Sequence, residues 1–143
     1  REFLDSEEQK HIETMSKHIA QRPRDLVGCL SAYLEEGDLD GIVTLYHQEV
    51  ELHYPPDQPP QVGRAGVRQA FEAMVHLKPK FQYDTISEVI VGDIALTRSN
   101  WKLVAPDGAV LGEGQSTEVC KKFEHGGWGY LIDCPNGPPP VAD

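Results

Sequence analysis

The chain has 143 residues, of which 39% are hydrophobic and 25% charged, and this composition is typical of one soluble globular domain with a sizeable core. The formal net charge of −10 argues against nucleic acid as a partner, because phosphate contacts need a surplus of lysine and arginine. No apolar run approaches the roughly 20 residues that span a bilayer, so we expect no membrane partner.

The cysteine and histidine patterns predict neither a disulfide framework nor a metal site. The three cysteines have no CxxC spacing, which is typical of free thiols in a reducing, cytoplasmic compartment. The six histidines show no HExxH or paired-ligand spacing. The sequence also lacks a phosphate-binding glycine loop and a Gly-x-Ser-x-Gly nucleophile turn, so we expect no cofactor.

The first third of the chain is predicted to be helical. Residues 1–22 carry a patchy apolar stripe and are expected to form an N-terminal helix or tail. A helix is predicted over 23–36, because its apolar residues recur at helical spacing and Gly37 suits a helix end. Asp38 is a good N-cap for a short helix over 39–46.

A strand, a stiff loop and a helix are predicted next. Polar and apolar residues alternate over 50–54, which indicates a strand. If its apolar face lies towards the core, the Tyr54 hydroxyl points into the enclosed space; alternatively Tyr54 is a core residue bonded to a backbone carbonyl. The four prolines of 55–60 form a stiff loop, and a helix is expected over 63–77.

The second half of the chain switches to a period of two residues. Strands are predicted over 81–91, 94–104, 110–123 and 128–133, with turns between them and a proline-rich tail over 136–143. Because helices and strands are segregated along the chain, we expect an α+β fold in which a curved antiparallel or mixed sheet wraps over three helices. The open end of such a cone is a natural binding site for a small molecule.

The residues that line this site depend on which face of each strand turns inward. On one choice Arg98 and Asn100 lie in the cavity, about 6–7 Å apart along the strand; on the other, Trp101 faces inward and both are on the surface. Glu118 is either a pocket carboxyl or a solvated side chain. Asp133 is either a pocket carboxyl or a turn residue that binds backbone N–H groups.

The chain resembles the nuclear transport factor 2-like superfamily, of the SnoaL-like and ketosteroid isomerase-like kind. The resemblance rests on residues 37–46, on Pro59-Pro60-x-x-Gly63-Arg64 before a helix containing Phe71, and on the terminal hairpin 123–133. It implies the cone-shaped, cystatin-like fold over 23–135 and a homodimer. The superfamily includes isomerases, polyketide cyclases, hydrolases and plain binding modules.

The resemblance implies which residues of this chain stand at the functional positions of the family. Leu30 stands where ketosteroid isomerases have an oxyanion-binding tyrosine, and Tyr54 stands where they have the aspartate base. Their second oxyanion acid corresponds to a position near Glu118. Arg98 and Asn100 have the spacing of an arginine–aspartate pair in limonene-epoxide-hydrolase-like members, with asparagine in place of the acid.

Three functions remain open on these residues. An enzyme would use Tyr54 as an oxyanion donor, Glu118 or Asp133 to move a proton, and Arg98 with Asn100 to hold the substrate or tune the acid. A binding module would keep the pocket without the chemistry, and an assembly module would use sheet residues such as Val89, Val91 and Trp101. The predicted ligand-binding residues are Leu30, Tyr33, Leu34, Tyr46, Leu52, Phe71 and Trp101.

Overall fold

A computed structural model describes residues 16–141 of the chain. Most of the N-terminal segment 1–22, for which a helix or tail was predicted, lies outside the described residues. The helices are α1 (Leu26–Glu36), α2 (Leu39–Thr44) and α3 (Gly63–Val75). The strands are β1 (Tyr46–Leu52), β2 (Gln61–Val62), β3 (Lys80–Val91), β4 (Ile94–Val104), β5 (Val110–Gln115), β6 (Thr117–Lys122) and β7 (Trp128–Cys134).

The boundary between α1 and α2 has the two capping residues that the sequence predicts. Gly37 is the C-cap of α1 with a left-handed φ of 70°, which glycine adopts without steric cost. Asp38 then caps α2, since its Oδ1 accepts a hydrogen bond of 2.8 Å from the N–H of Gly41. Four boundaries differ from the prediction: Pro23–Asp25 is a 3-10 turn before α1, α2 ends at Thr44, α3 ends at Val75, and β1 starts four residues before and ends two residues before the strand predicted over 50–54.

The strands form one mixed sheet in the order β2-β1-β7-β6-β4-β3, with β5 paired to β4. β1 is parallel to β7, and the other pairs are antiparallel. The predicted strand over 110–123 is two strands, because at Ser116 the chain passes from pairing with one half of β4 to pairing with the other. The α+β cone of a curved sheet over three helices is confirmed.

The core lies between the concave face of the sheet and the helices. Its largest fully buried side chains include Tyr33, Tyr46, Leu34 and Ile42. Gly41 is buried in α2 against the Tyr33 ring, and a methyl group at Gly41 would overlap that ring. α2 therefore packs on α1 only because this position has no side chain.

Replacing Gly41 by alanine should destabilise the fold by about 1–3 kcal/mol, since the new methyl group forces the buried Tyr33 ring from its place. Urea unfolding of Gly41→Ala measures the loss. Glu35→Ala, an exposed change on α1, is the control and should alter the free energy of unfolding by no more than about 0.5 kcal/mol. Equal stabilities of the two variants would contradict this account of the α1–α2 contact.

Candidate functional site

A cavity occupies the space between the concave face of the sheet, α1 and α3. It contains about 720 Å³ of atom-free space, counted with its opening to solvent. Most of its lining is aliphatic or aromatic, and its polar side-chain groups are two carboxyls, two serine hydroxyls, three tyrosine hydroxyls and the indole N–H of Trp101. The lining residues are Val27, Leu30, Leu34, Tyr46, Leu52, Tyr54, Ala70, Phe71, Met74, Phe81, Ser99, Trp101, Leu103, Gly112, Ser116, Glu118, Tyr130, Asp133 and Pro135.

Two carboxyl side chains, Glu118 and Asp133, stand next to each other in this lining. They are direct partners in the antiparallel β6–β7 register, so their Cβ atoms lie about 4.5–5.5 Å apart on one face of the sheet. Glu118 is 8% exposed and Asp133 is 6% exposed. Carboxylates are seldom buried to this extent without a cationic partner, so the pair calls for an explanation.

The two carboxyls accept hydrogen bonds from neutral groups. Thr97 Oγ1 donates to Glu118 Oε1 at 2.7 Å, and the Tyr46 hydroxyl donates to Asp133 Oδ2 at 3.1 Å. No lysine, arginine or histidine among residues 16–141 lines the cavity. The negative charge of the pair is therefore not neutralised from the cavity wall.

Burial and mutual repulsion favour the protonated forms of the pair. Burial is the main cause that raises the pKa of Glu118, and hydrogen bonds from Ser116 and Thr97 partly oppose it. Burial, followed by repulsion from Glu118, holds the pKa of Asp133 well above its usual range. The two groups consequently titrate as a pair that retains a proton to higher pH than free carboxyls do.

Two buried tyrosines complete the polar end of the cavity. Burial and the neighbouring carboxyls hold the pKa values of Tyr46 and Tyr130 well above the usual value of 10.0. Both hydroxyls therefore stay protonated near neutral pH. Tyr46 remains a hydrogen-bond donor to Asp133 and does not compete as a base.

A second, partly exposed part of the lining brings together Tyr54, Trp101, Gly112 and Pro135. The indole N–H of Trp101 donates to the main-chain oxygen of Pro135 at 2.7 Å, and the Tyr54 and Trp101 rings meet edge to face. A Cβ at Gly112 would lie 3.2 Å from the Tyr54 hydroxyl and 3.3 Å from the Trp101 ring. The absence of a side chain at Gly112 thus leaves room for both rings.

Most of the residues predicted for the pocket line the cavity. Of the predicted catalytic set, the structure brings Tyr54, Glu118 and Asp133 into one cavity. The predicted ligand-binding residues that line it are Leu30, Leu34, Tyr46, Leu52, Phe71 and Trp101.

Three predicted site residues lie elsewhere. The prediction that Arg98 and Asn100 face the cavity is wrong, because the helices cover the other face of β4, and both side chains bond to Gln115 on the outer face. Tyr33 of α1 is fully buried against Gly41 of α2, and its hydroxyl accepts a 2.8 Å hydrogen bond from the N–H of His18.

The sequence analysis missed the hydroxyl groups that support the carboxyl pair. Thr97 and Ser116 are buried beside Glu118, and Tyr130 lies beside Asp133 in the lining. One signal was available: Ser116 and Glu118 are two residues apart, and so are Thr97 and Ser99, so each pair shares a strand face. Serine or threonine residues on the same strand face as a carboxyl indicate that the carboxyl is buried and accepts hydrogen bonds from their hydroxyls.

A metal site and a membrane span are not apparent in the described part of the chain. Among residues 16–141, no group of three or more histidine, cysteine, aspartate and glutamate side chains could hold a metal ion. No helix of this part is long and apolar enough to cross a bilayer.

Comparison with known proteins defines the family. The model of the SnoaL-like domain matches residues 30–124, well over half of the chain. The chain belongs to the SnoaL-like domain family. No curated protein sequence matches this SnoaL-like protein.

Solved structures show the same fold at low sequence identity. A protein assigned as a calcium/calmodulin-dependent protein kinase type II association domain, from Thiobacillus denitrificans, is 18% identical over 85% of this chain and 98% of its own, with a TM-score of 0.67. An NTF-2 like protein of unknown function from Shewanella oneidensis is 16% identical over 77% and 92%, with a TM-score of 0.65. A ketosteroid isomerase-like protein from Erwinia carotovora is 17% identical over 78% and 89%, with a TM-score of 0.61.

These similarities confirm the nuclear transport factor 2-like fold of the SnoaL-like protein. They show the fold alone, because one fold of this kind carries unrelated functions. The functional argument therefore rests on the cavity and its carboxyl pair.

The carboxyl pair should make stability fall as pH rises. Both folded-state pKa values are raised, so the folded protein binds more protons than the unfolded chain above the unfolded pKa of about 4. The stabilisation is complete below that pH and is lost as pH rises towards the folded pKa values. Glu118→Gln/Asp133→Asn should therefore be more stable than the parent at pH 8, by about 1–3 kcal/mol, and the difference should shrink towards pH 4.

Urea unfolding at pH 4, 6 and 8 measures this difference. The control variant is Asp57→Asn/Glu113→Gln, in which two exposed acids are replaced. Its free energy of unfolding, relative to the parent, should not rise from pH 4 to pH 8 as that of the buried-pair variant does. A parent that becomes more stable than the Glu118→Gln/Asp133→Asn variant as pH rises would contradict the buried, unneutralised pair.

Proposed function

We propose that this SnoaL-like protein binds a small, largely apolar molecule in its cavity and catalyses a proton transfer on it with its own side chains. The observation that carries the proposal is the pairing of two buried carboxyls, Glu118 and Asp133, in the wall of an apolar cavity. Two neighbouring carboxyls that share a proton can supply an acid and a base at the same pH.

We propose different roles for the two carboxyls on the basis of their hydrogen bonds. Glu118 is bonded by Thr97 and Ser116, which favours its ionised form, whereas only Tyr46 lowers the pKa of Asp133. Glu118 is therefore the base that removes a proton from the substrate. Asp133 is the acid that holds the shared proton and delivers it to a developing oxyanion or to carbon.

The tyrosines support this proton transfer from two sides. Tyr46 keeps Asp133 in place through its 3.1 Å hydrogen bond. The Tyr54 hydroxyl, at the partly exposed part of the cavity beside Gly112, is available to a polar group at the other end of the substrate. The reaction class that fits is an isomerisation, an aldol-type cyclisation or a hydrolysis, in which a proton moves while an oxyanion forms and collapses.

Removing either carboxyl should abolish most of the turnover. Glu118→Gln and Asp133→Asn should each lower kcat by about 100-fold or more, because each removes one partner of the proton transfer. The substrate is found by screening enones, epoxides and lactones with mass-spectrometric detection. Glu113→Gln, an exposed acid on β5, is the matched control and should keep full activity.

The outcome distinguishes catalysis from binding alone. Turnover that survives in both carboxyl variants would overturn the acid–base proposal. A ligand that protects the protein against thermal unfolding but is returned unchanged would instead support a non-catalytic binding module.

A second candidate function is dimeric assembly through the outer face of the sheet. Val89, Leu96, Val119 and Ile132 lie side by side on four neighbouring strands of this face. Three of them, Val89, Leu96 and Ile132, are 58%, 45% and 41% exposed. An uncharged row of this kind favours contact with a second copy of the chain. Two copies that each carry a net charge of −10 repel each other through their charged surfaces, and this repulsion is weakest where the surface is uncharged. The similarity to a protein assigned as an association domain supports this reading.

Of the three residues predicted from the sequence for an assembly surface, Trp101 does not belong to the outer face. Val89 and Val91 lie on the exposed part of the sheet, but Trp101 lines the cavity and is not available to a partner on the outer face. The proposed dimer surface therefore keeps Val89 and adds Leu96, Val119 and Ile132.

A lysine in this row should separate the dimer. Leu96→Lys places a charge at the centre of the proposed contact and should give a monomer in native mass spectrometry, where the parent gives a dimer. Leu77→Lys changes an equally exposed leucine after α3 and should leave the dimer intact. A monomeric parent, or a dimer that Leu96→Lys leaves unchanged, would count against the assembly function.

A further inference from the structure

The charge of the carboxyl pair has no counter-ion in the cavity wall. Burial is the main cause of the raised pKa values of Glu118 and Asp133, Glu118 adds to the shift of Asp133, and the other contributing groups are the neutral hydroxyls of Thr97, Ser116 and Tyr46. Arg64, whose Nε donates to the main-chain oxygen of Tyr46 at 2.8 Å, does not line the cavity. A ligand with a positive charge would supply what the wall lacks.

Aromatic rings surround the rest of the space. Tyr46 lies 6.3 Å from Phe71 and 5.1 Å from Tyr130, and Trp101 lies 5.8 Å from Phe81, measured between ring centroids. All five rings line the cavity. The faces of such rings attract an organic cation, and their area holds its apolar part.

We infer that the cavity selects a primary amine with an apolar body, whose ammonium group lies against Glu118 and Asp133 while its body packs on the aromatic lining. This inference names the ligand class of the cavity, and it rests on the proposed function only in its use of the cavity as the ligand site. The ammonium donates to the carboxyl oxygens that the protein's own hydroxyls leave free.

The same lining discriminates against other charged ligands. A carboxylate or phosphate would meet two acids and no basic side chain, so its burial would cost more than that of a neutral molecule. A divalent metal ion keeps a tightly held water shell, which this mainly hydrocarbon wall cannot replace with oxygen ligands. An alkyl or arylalkyl ammonium is the cation that matches both the acids and the rings.

Three ligands with one ring system test the inference. Tryptamine, tryptophol and indole-3-propionate carry an ammonium, a hydroxyl and a carboxylate on the same indole and two-carbon chain. Calorimetric titration of the full chain at pH 7 and 150 mM salt should show tryptamine binding at least about tenfold more tightly than tryptophol. Indole-3-propionate should bind most weakly.

The decisive variant removes both charges at once. A single replacement leaves one carboxyl that still ionises once its neighbour no longer repels it, so Glu118→Gln/Asp133→Asn is the informative change. In this variant tryptamine and tryptophol should bind with equal affinity, and unchanged tryptophol binding shows that the cavity is intact. Asp57→Asn/Glu113→Gln, which removes two exposed acids, should keep the preference of the parent and so shows that the loss of two negative charges is not by itself the cause.

The outcomes separate this inference from the proposed function. Equal or tighter binding of tryptophol to the parent, no binding of any of the three ligands, or a preference for tryptamine that survives in the double variant would each overturn the ammonium inference. Charge-dependent tryptamine binding in a protein whose single carboxyl variants keep full turnover would confirm the inference and refute the acid–base proposal. Turnover that needs both carboxyls, in a protein that does not prefer tryptamine to tryptophol, would support the acid–base proposal and refute the ammonium inference.

Discussion

The pairing register of β6 with β7 is the constraint on which the site depends. It sets Glu118 opposite Asp133 and turns both side chains towards the helices. Because side chains alternate along a strand, a slip of one residue would send these carboxyls to the outer face and bring Val119 and Ile132 into the cavity. The buried tyrosines and the hydroxyls of Thr97 and Ser116 have their functional meaning only in this register.

The carboxyl pair is a feature that stability alone does not explain. Two acids without a counter-ion are costly to bury, and apolar or amide residues would fill the same places more favourably. The fold tolerates them because a large core surrounds the site: Tyr33, Leu34, Ile42, Val50 and Val67 are completely buried. Locally unfavourable groups in an otherwise well-packed protein are typical of functional sites, where activity and stability make opposite demands.

The two candidate functions use opposite faces of the sheet. The concave face, covered by α1 and α3, holds the cavity and its ionisable groups. The outer face carries the uncharged row from Val89 to Ile132 and, next to it, the hydrogen-bonded Arg98, Gln115 and Asn100. A ligand site on one face and an assembly surface on the other are compatible, so the two candidate functions do not compete for the same residues.

The sequence determined the helices, the long strands and their order. Local chemistry at Gly37 and Asp38 marks the ends of helices, and alternating residues identify the long strands, because both signals depend on near neighbours along the chain. Most lining residues of α1, such as Leu30 and Leu34, followed from the same periodicity. The family resemblance then pointed to the cone and to the region of Glu118.

Only the tertiary structure decided which face of each strand turns inward. In β4 both faces mix apolar and polar residues: Ala95, Thr97 and Trp101 alternate with Leu96, Arg98 and Asn100, so periodicity alone favours neither. The helices cover one face, and this makes Trp101 a cavity residue and Arg98 an outer one. The meeting of Glu118 with Asp133 is likewise a consequence of strand register, since residues fifteen positions apart in sequence become neighbours only when β6 and β7 pair.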